Sequence, residues 1–205
     1  MVSAALLLLV VVATHQLTRG FQHWTFEGAR RSDATQQRLL ASSLVVRTAQ
    51  GQHLALWSSA TAPHAKAYLV DFIYTACPSV CRVLGSEFAQ MQRQLADAGP
   101  TDAGVVLLSL SFDLRRDGAA ELAQYARRYG ADGQRWLVAA PLSETDNRRL
   151  LQELAVIAVP DGQGGYVHNG AIHLLDGSGR VQAIFDTTQW PQALAAAAVW
   201  VQAGL

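Results

Sequence analysis

The stretch Tyr68–Leu95, YLVDFIYTACPSVCRVLGSEFAQMQRQL, decides how the rest of this 205-residue chain is read. Ala67–Tyr74 is an apolar, β-branched and aromatic run, as expected of a strand buried on both faces. Val80–Ala98 has helical spacing instead. Val80, Val83, Leu84, Phe88, Met91 and Leu95 share a face, and Gly99-Pro100 is the stop. Between strand and helix stand the only two cysteines of the chain, Cys77 and Cys81. Three residues separate them, where redox Cys-x-x-Cys pairs have two. A strand that runs into a helix N-terminus is where open α/β sheets place ligands and reactive groups. The helix dipole stabilises a thiolate there.

Working outward, LVVRTAQGQHLALW (44–57) reads as a β-hairpin turning at Ala49-Gln50-Gly51. GVVLLSLSF (104–112) is a second buried strand. The segment 117–132 is a helix, with Asp117 as its N-cap, Leu122, Tyr125 and Tyr129 on one side and Gly130 at its end. RWLVAA (135–140) is a short strand, and Ser143 opens a further helix. AIHLL and RVQAIFD flank Asp176-Gly177-Ser178-Gly179, a hairpin turn signal. A last helix begins near Pro191. The order is hairpin, β-α-β-α-β-α, then β-hairpin and helix. This implies an α/β fold with a central mixed sheet flanked by helices, parallel in its middle and antiparallel at its edge.

Half the residues are hydrophobic and 16% are charged, so a sizeable core is expected and global disorder is not. The 16 basic and 16 acidic residues balance, and no basic run or aromatic-basic stripe is present, so nucleic-acid binding is not expected. The N-terminus differs from the rest. Ala4–Ala13 is uninterrupted and apolar, short of the roughly 20 residues of a comfortable membrane span. It fits the core of an export signal, or a short anchor if it extends to Leu17. No Lys or Arg precedes it, whereas Arg19, Arg30 and Arg31 follow; that count alone would leave the domain on the cytoplasmic side. The expected divisions are 1–17 signal or anchor, 18–43 polar linker or short helix, and 44–205 folded domain.

A spacing of four puts Cys77 and Cys81 on one helical face, a soft bite suited to Cu(I). The same pair could close into a disulfide, since Cα atoms about 6 Å apart are within bridging range. Two cysteines do not make a structural zinc site, which wants four ligands. A third donor would have to come from the six histidines. His15 and His23 lie in the N-terminal segment, His53 in the early hairpin and His64 in a loop. His173 sits inside a strand and reads as packing. His168 lies in the Gly-rich loop DGQGGYVHNG (161–170), before a strand expected antiparallel to the one that delivers Cys77. That loop could return over the cysteine-bearing end of the sheet, or leave its histidine in solvent.

These motifs resemble the Sco/SenC family of copper-binding, thioredoxin-fold proteins. The likeness runs from about Leu44 to the C-terminus. It rests on the C-P-x-x-C pair after an aromatic-Thr strand end, the Asp113-x-x-x-Asp117 pattern closing the next strand, and the late histidine. The resemblance implies a thioredoxin-like fold with an N-terminal β-hairpin extension, and copper, as Cu(I) or Cu(II), held by Cys77, Cys81 and His168. It also implies a domain on the periplasmic side of the inner membrane, in the cell envelope, tied to the membrane by the N-terminal segment. The implied task is assembly of the dinuclear copper centre of cytochrome c oxidase, with its copper-site subunit or another cuproprotein as partner. The alternative is a thiol–disulfide reductase, with Cys77 and Cys81 as the redox pair. The chain departs from the family's common pattern at Ser79, at Arg82 directly after the pair, and at Val167-His168-Asn169. A peroxidase does not fit, because Thr75 is two before the cysteine without the accompanying proline.

Overall fold

A computed structural model describes residues 2–18, 20–21, 24–58, 67–77, 80–99 and 104–203, with backbone only for 2–3 and 80–82. The main sheet has seven strands: β1 (Leu44–Thr48), β2 (His53–Leu56), β3 (Ala67–Ile73), β4 (Val105–Ser111), β5 (Trp136–Pro141), β8 (Ile172–Asp176) and β9 (Val181–Phe185). Their spatial order is β2-β1-β5-β4-β3-β8-β9. β3, β4 and β5 are mutually parallel, while β1 joins β5, and β8 joins β3, in antiparallel fashion. The expected mixed sheet is therefore present, with the early hairpin on one edge and the late hairpin on the other. β6 (Ala158–Pro160) and β7 (Tyr166–His168) form a separate two-stranded ribbon.

β3 is buried along its whole length, and its alternate side chains serve two layers. Asp71 looks toward Glu87 of α3 (Val80–Asp97). Val70 pairs in register with His173 and belongs to the other face. On the first face α3 lies beside α4 (Ala119–Tyr129) and α6 (Trp190–Gln202). Leu84, Phe88, Met91 and Leu95 of α3 are fully buried, and the Phe88 ring sits 5.8 Å from Trp136. Val83 was expected on that face but is 49% exposed. The helix turns it past the edge of the buried stripe. Gly85 marks the closest helix crossing, since a Cβ there would stand 2.9 Å from the Tyr129 ring.

Several local expectations hold. Ser143 caps α5 (Glu144–Glu153) by accepting from the Asp146 amide, Gly130 ends α4 in the left-handed conformation, and Pro191 stands in the first turn of α6. One does not: the N-cap of α4 is Gly118, and the Asp117 carboxylate is used elsewhere.

The polar segment before β1 contains α2 (Phe26–Thr35), which packs on β9. Its contact is not an apolar stripe. Arg30 is 2% exposed and reaches His173 Nε2 at 3.0 Å, while Glu27 holds its guanidinium at 2.9 and 3.0 Å. Arg31 reaches on to Asp186 at 2.6 Å. An arginine only donates, so His173 is neutral and accepts at Nε2. Burial, and then the Arg30 charge, bring its pKa down to about 3. Burial works to raise Glu27, but Arg30 and Arg31 outweigh it and hold the carboxyl below its usual range.

Candidate metal centre

The site is assembled at the C-terminal ends of β3 and β4. After β3 the chain turns sharply, and the Cys77 amide donates to the Tyr74 carbonyl at 3.1 Å. Cys77 is 6% exposed. Cys81 falls in the first turn of α3, so the strand-to-helix placement of the pair is as expected. Its side chain, that of Arg82, and residues Pro78 and Ser79 lie outside the described residues, as do His23 and His64.

Asp117 fixes that turn. Its carboxylate accepts from the Thr75 amide (2.8 Å), the Thr75 hydroxyl (2.7 Å) and the Ser111 hydroxyl (2.5 Å), and the residue is fully buried. A buried carboxylate with three donors is satisfied, and removing it leaves those donors without a partner. Asp117→Ala is expected to destabilise the domain by about 3 kcal/mol. It should also open the turn locally, so that Cys77 is labelled faster by a thiol reagent at denaturant concentrations well below global unfolding. Unchanged labelling and an unchanged urea midpoint would show that the turn holds without it.

His168 closes the other side. The ribbon crosses the sheet end with Ala158 opposite His168 and Pro160 opposite Tyr166. The His168 ring packs edge-on against Phe112, at 5.4 Å, and Tyr74, at 6.2 Å. Tyr74 thus touches both parts of the proposed centre, through its carbonyl to Cys77 and through its ring to His168. Burial lowers the His168 pKa, which favours the neutral imidazole near pH 7. Gly165 leaves room for this approach. A Cβ there would stand 2.6 Å from Asp161 Oδ2 and 3.1 Å from the Tyr74 hydroxyl. Among the described residues no group of three or more His, Cys, Asp or Glu forms a metal cluster. His53 is exposed on β2, His15 lies in α1 (Val2–Leu17), and His173 is committed to Arg30.

Sequence reading placed His168 in a loop and missed its aromatic bed of Tyr74 and Phe112, on which Tyr166 also packs. The signal for the bed was weak: three aromatics at strand ends, far apart in sequence, that only the topology brings together.

A mixed sheet with a cysteine-bearing strand-to-helix turn at the end of β3, and a histidine-bearing ribbon packed on the ends of β3 and β4, defines a thioredoxin-like protein. The SCO1/SenC family model matches residues 52–202, and the chain belongs to that family. It is 25% identical over 116 residues to the SCO1 protein homolog of Bacillus subtilis (strain 168), covering 56% of this chain and 58% of that protein. The chain thus spans a little over half of that relative. The fold is similar to Bradyrhizobium japonicum ScoI, solved with copper bound, at TM-score 0.61 and 21% identity over 78% of this chain and 99% of that one. It is similar also to BsSco, described with a disulfide switch and as a cytochrome c oxidase assembly protein. That likeness has TM-score 0.66 and 17% identity over 80% and 94% of the two chains.

Proposed function

We propose that this protein is a copper chaperone of the cell envelope, holding Cu(I) through Cys77, Cys81 and His168 and passing it to the copper-site subunit of cytochrome c oxidase or another cuproprotein. The observation that carries this reading is the shared contact of Cys77 and His168 with Tyr74. It sets a soft thiol and a neutral imidazole at one end of the sheet. Two thiolates and an imidazole suit Cu(I), and a three-donor site leaves a position for an acceptor's ligand. Copper bound to a family member, and family work in oxidase assembly, support the choice of cargo and client.

The envelope location is supported by α1. Leu6 to Leu9 are 64–69% exposed, and the exposed Trp24 follows the helix, a residue type enriched at membrane–water boundaries. No helix among the described residues is long and apolar enough to cross a membrane, so the segment is read as an export signal or a short anchor.

A second reading, a reductase that keeps partner copper-site cysteines reduced, is favoured by the position of the pair at the N-terminus of α3, where the dipole stabilises a thiolate. One titration separates the two. The reduced full chain in detergent is titrated with Cu(I) against a competing chelator, as wild type, His168→Ala and Cys81→Ser. His168→Ala is expected to lose at least the roughly 10–100-fold in affinity that even an outer-shell partner costs. Unchanged affinity and stoichiometry in His168→Ala would sink the three-ligand site. Disulfide reduction that survives His168→Ala but not Cys81→Ser would establish the reductase.

A further inference from the structure

The ribbon that carries His168 is outside the main sheet, so something other than a strand ladder must hold it against the ends of β3 and β4. Its foot is tied by Asn169, which accepts from the Ile157 amide at 2.7 Å and donates to the Ala155 carbonyl at 3.2 Å. Its turn is shaped internally by Asp161, which accepts from the Gln163 and Gly165 amides at 2.8 Å each. Neither contact fixes the angle at which the ribbon lies on the sheet. That falls to the rings of Tyr74 and Phe112, on which Tyr166 and His168 pack, and to polar contacts at the ends of β3 and β4. Tyr166 donates its hydroxyl to Asp113 Oδ1 at 3.2 Å, and its amide donates to the Tyr74 hydroxyl at 3.3 Å. Arg116 donates to the Gly164 carbonyl at the ribbon tip, while its Nε stands 3.7 Å from Asp113 Oδ2.

We infer that Arg116, braced by Asp113 and working with Tyr166, is a latch that presses the ribbon tip down and so sets the distance from His168 to the cysteines. The inference rests on the reading of His168 as a ligand. Arg116 is a positioning residue: it touches the ribbon backbone two residues before Tyr166 and four before His168, and nothing places it on the metal. Two effects of its removal oppose each other. Taking a cation away from a copper site should tighten Cu(I) binding, because like charge disfavours the bound ion. Releasing the ribbon should weaken binding, because the imidazole is then presented only part of the time. Outer-shell residues that orient a ligand typically contribute 10–100-fold to metal affinity, so the second effect should win.

The test uses the full chain in detergent, as Arg116→Ala, Arg116→Lys and Arg116→Ala/His168→Ala, with Cu(I) competition and native-state hydrogen exchange as readouts. Arg116→Ala is expected to weaken Cu(I) binding about tenfold. Exchange at the Tyr166 and Val167 amides should speed up while the β3 and β4 amides keep wild-type protection. Arg116→Lys, which retains one donor and the charge, should recover part of the affinity. In the double variant Arg116→Ala should add nothing to the loss from His168→Ala, since one acts through the other. Tighter Cu(I) binding in Arg116→Ala, or an equal loss with and without His168, would overturn the latch. So would unaltered exchange in the ribbon. If His168→Ala alone leaves affinity unchanged, the ligand set fails and with it any role of the latch in binding copper. Faster ribbon exchange in Arg116→Ala would then still show that the latch holds the ribbon.

Discussion

With Arg30 replaced by alanine, the domain is expected to lose about 2–3 kcal/mol, the cost of a buried acceptor left without its donor and of the packing lost with the arginine stem. The cause is local. Arg30 is 2% exposed and bridges Glu27 on its own helix to His173 in β8. Without it the His173 acceptor is buried with no donor, and the arginine stem leaves a void under α2. Arg30→Met should recover part of the loss by refilling the volume, as apolar replacements of buried ion pairs often do. Urea unfolding at pH 7.5 measures both. A loss under about 1 kcal/mol for Arg30→Ala would be the value of a solvent-exposed ion pair, and α2 would then not be docked in solution.

The second large effect is in pH. Asp71 is completely buried on β3, and burial pushes its carboxyl up to about 7 against a weaker pull from Ser109 and its own backbone, with Glu87 adding to the rise. Burial likewise raises Glu87 to about 7. Both folded pKa values lie above the unfolded ones, so their contribution is fully present below about pH 4 and is lost as pH rises through 7. His173 has the opposite sign. Its folded value near 3 means that its contribution is present above 6.5 and is lost as pH falls toward 3. Between about pH 4.5 and 6.5 the two carboxyls pull stability down as pH rises, against the two imidazoles, His173 and His168, whose lowered pKa values pull it up. Asp71→Asn removes one of the two carboxyls. The profile should then fall less with rising pH than the wild type's over that window, and lie above it at pH 8. Urea midpoints at pH 5, 6, 7 and 8 check it, and parallel profiles for the two proteins would refute it.

Where the chain alternates cleanly between apolar runs and amphipathic spacing, its folding was legible before any coordinates. β3, β4, α3 and the two hairpins stand where hydrophobic period and turn residues put them. The ribbon was not legible, because Ala158–Pro160 and Tyr166–His168 are three residues each, too short to show a period, and one contains proline. The α2 segment was read as a linker or short helix, and its docking on the sheet was missed for a related reason. Its contact with the sheet is an arginine, and a sequence pattern assigns arginine to solvent. Asp117 was assigned to the wrong task because an aspartate two residues ahead of a helix can cap that helix or turn back. The Thr75 amide that claims it is 42 residues away. Of the candidate centre, the cysteine turn followed from local pattern, while the approach of His168 followed only from how the sheet is wound.

The residues between α2 and β1 also bear on how this molecule meets its own copies. A sheet's outer strand normally shows a row of unpaired amides and carbonyls that invites another chain to add on. Here Val181 donates to the Leu39 carbonyl, Ala41 donates to the Gly179 carbonyl, and Leu40 bridges Arg180, so the start of β9 is already occupied by the same polypeptide. The protein carries its own stopper against edge-to-edge stacking. That would serve the proposed chaperone, whose copper-holding end has to stay free to meet an acceptor.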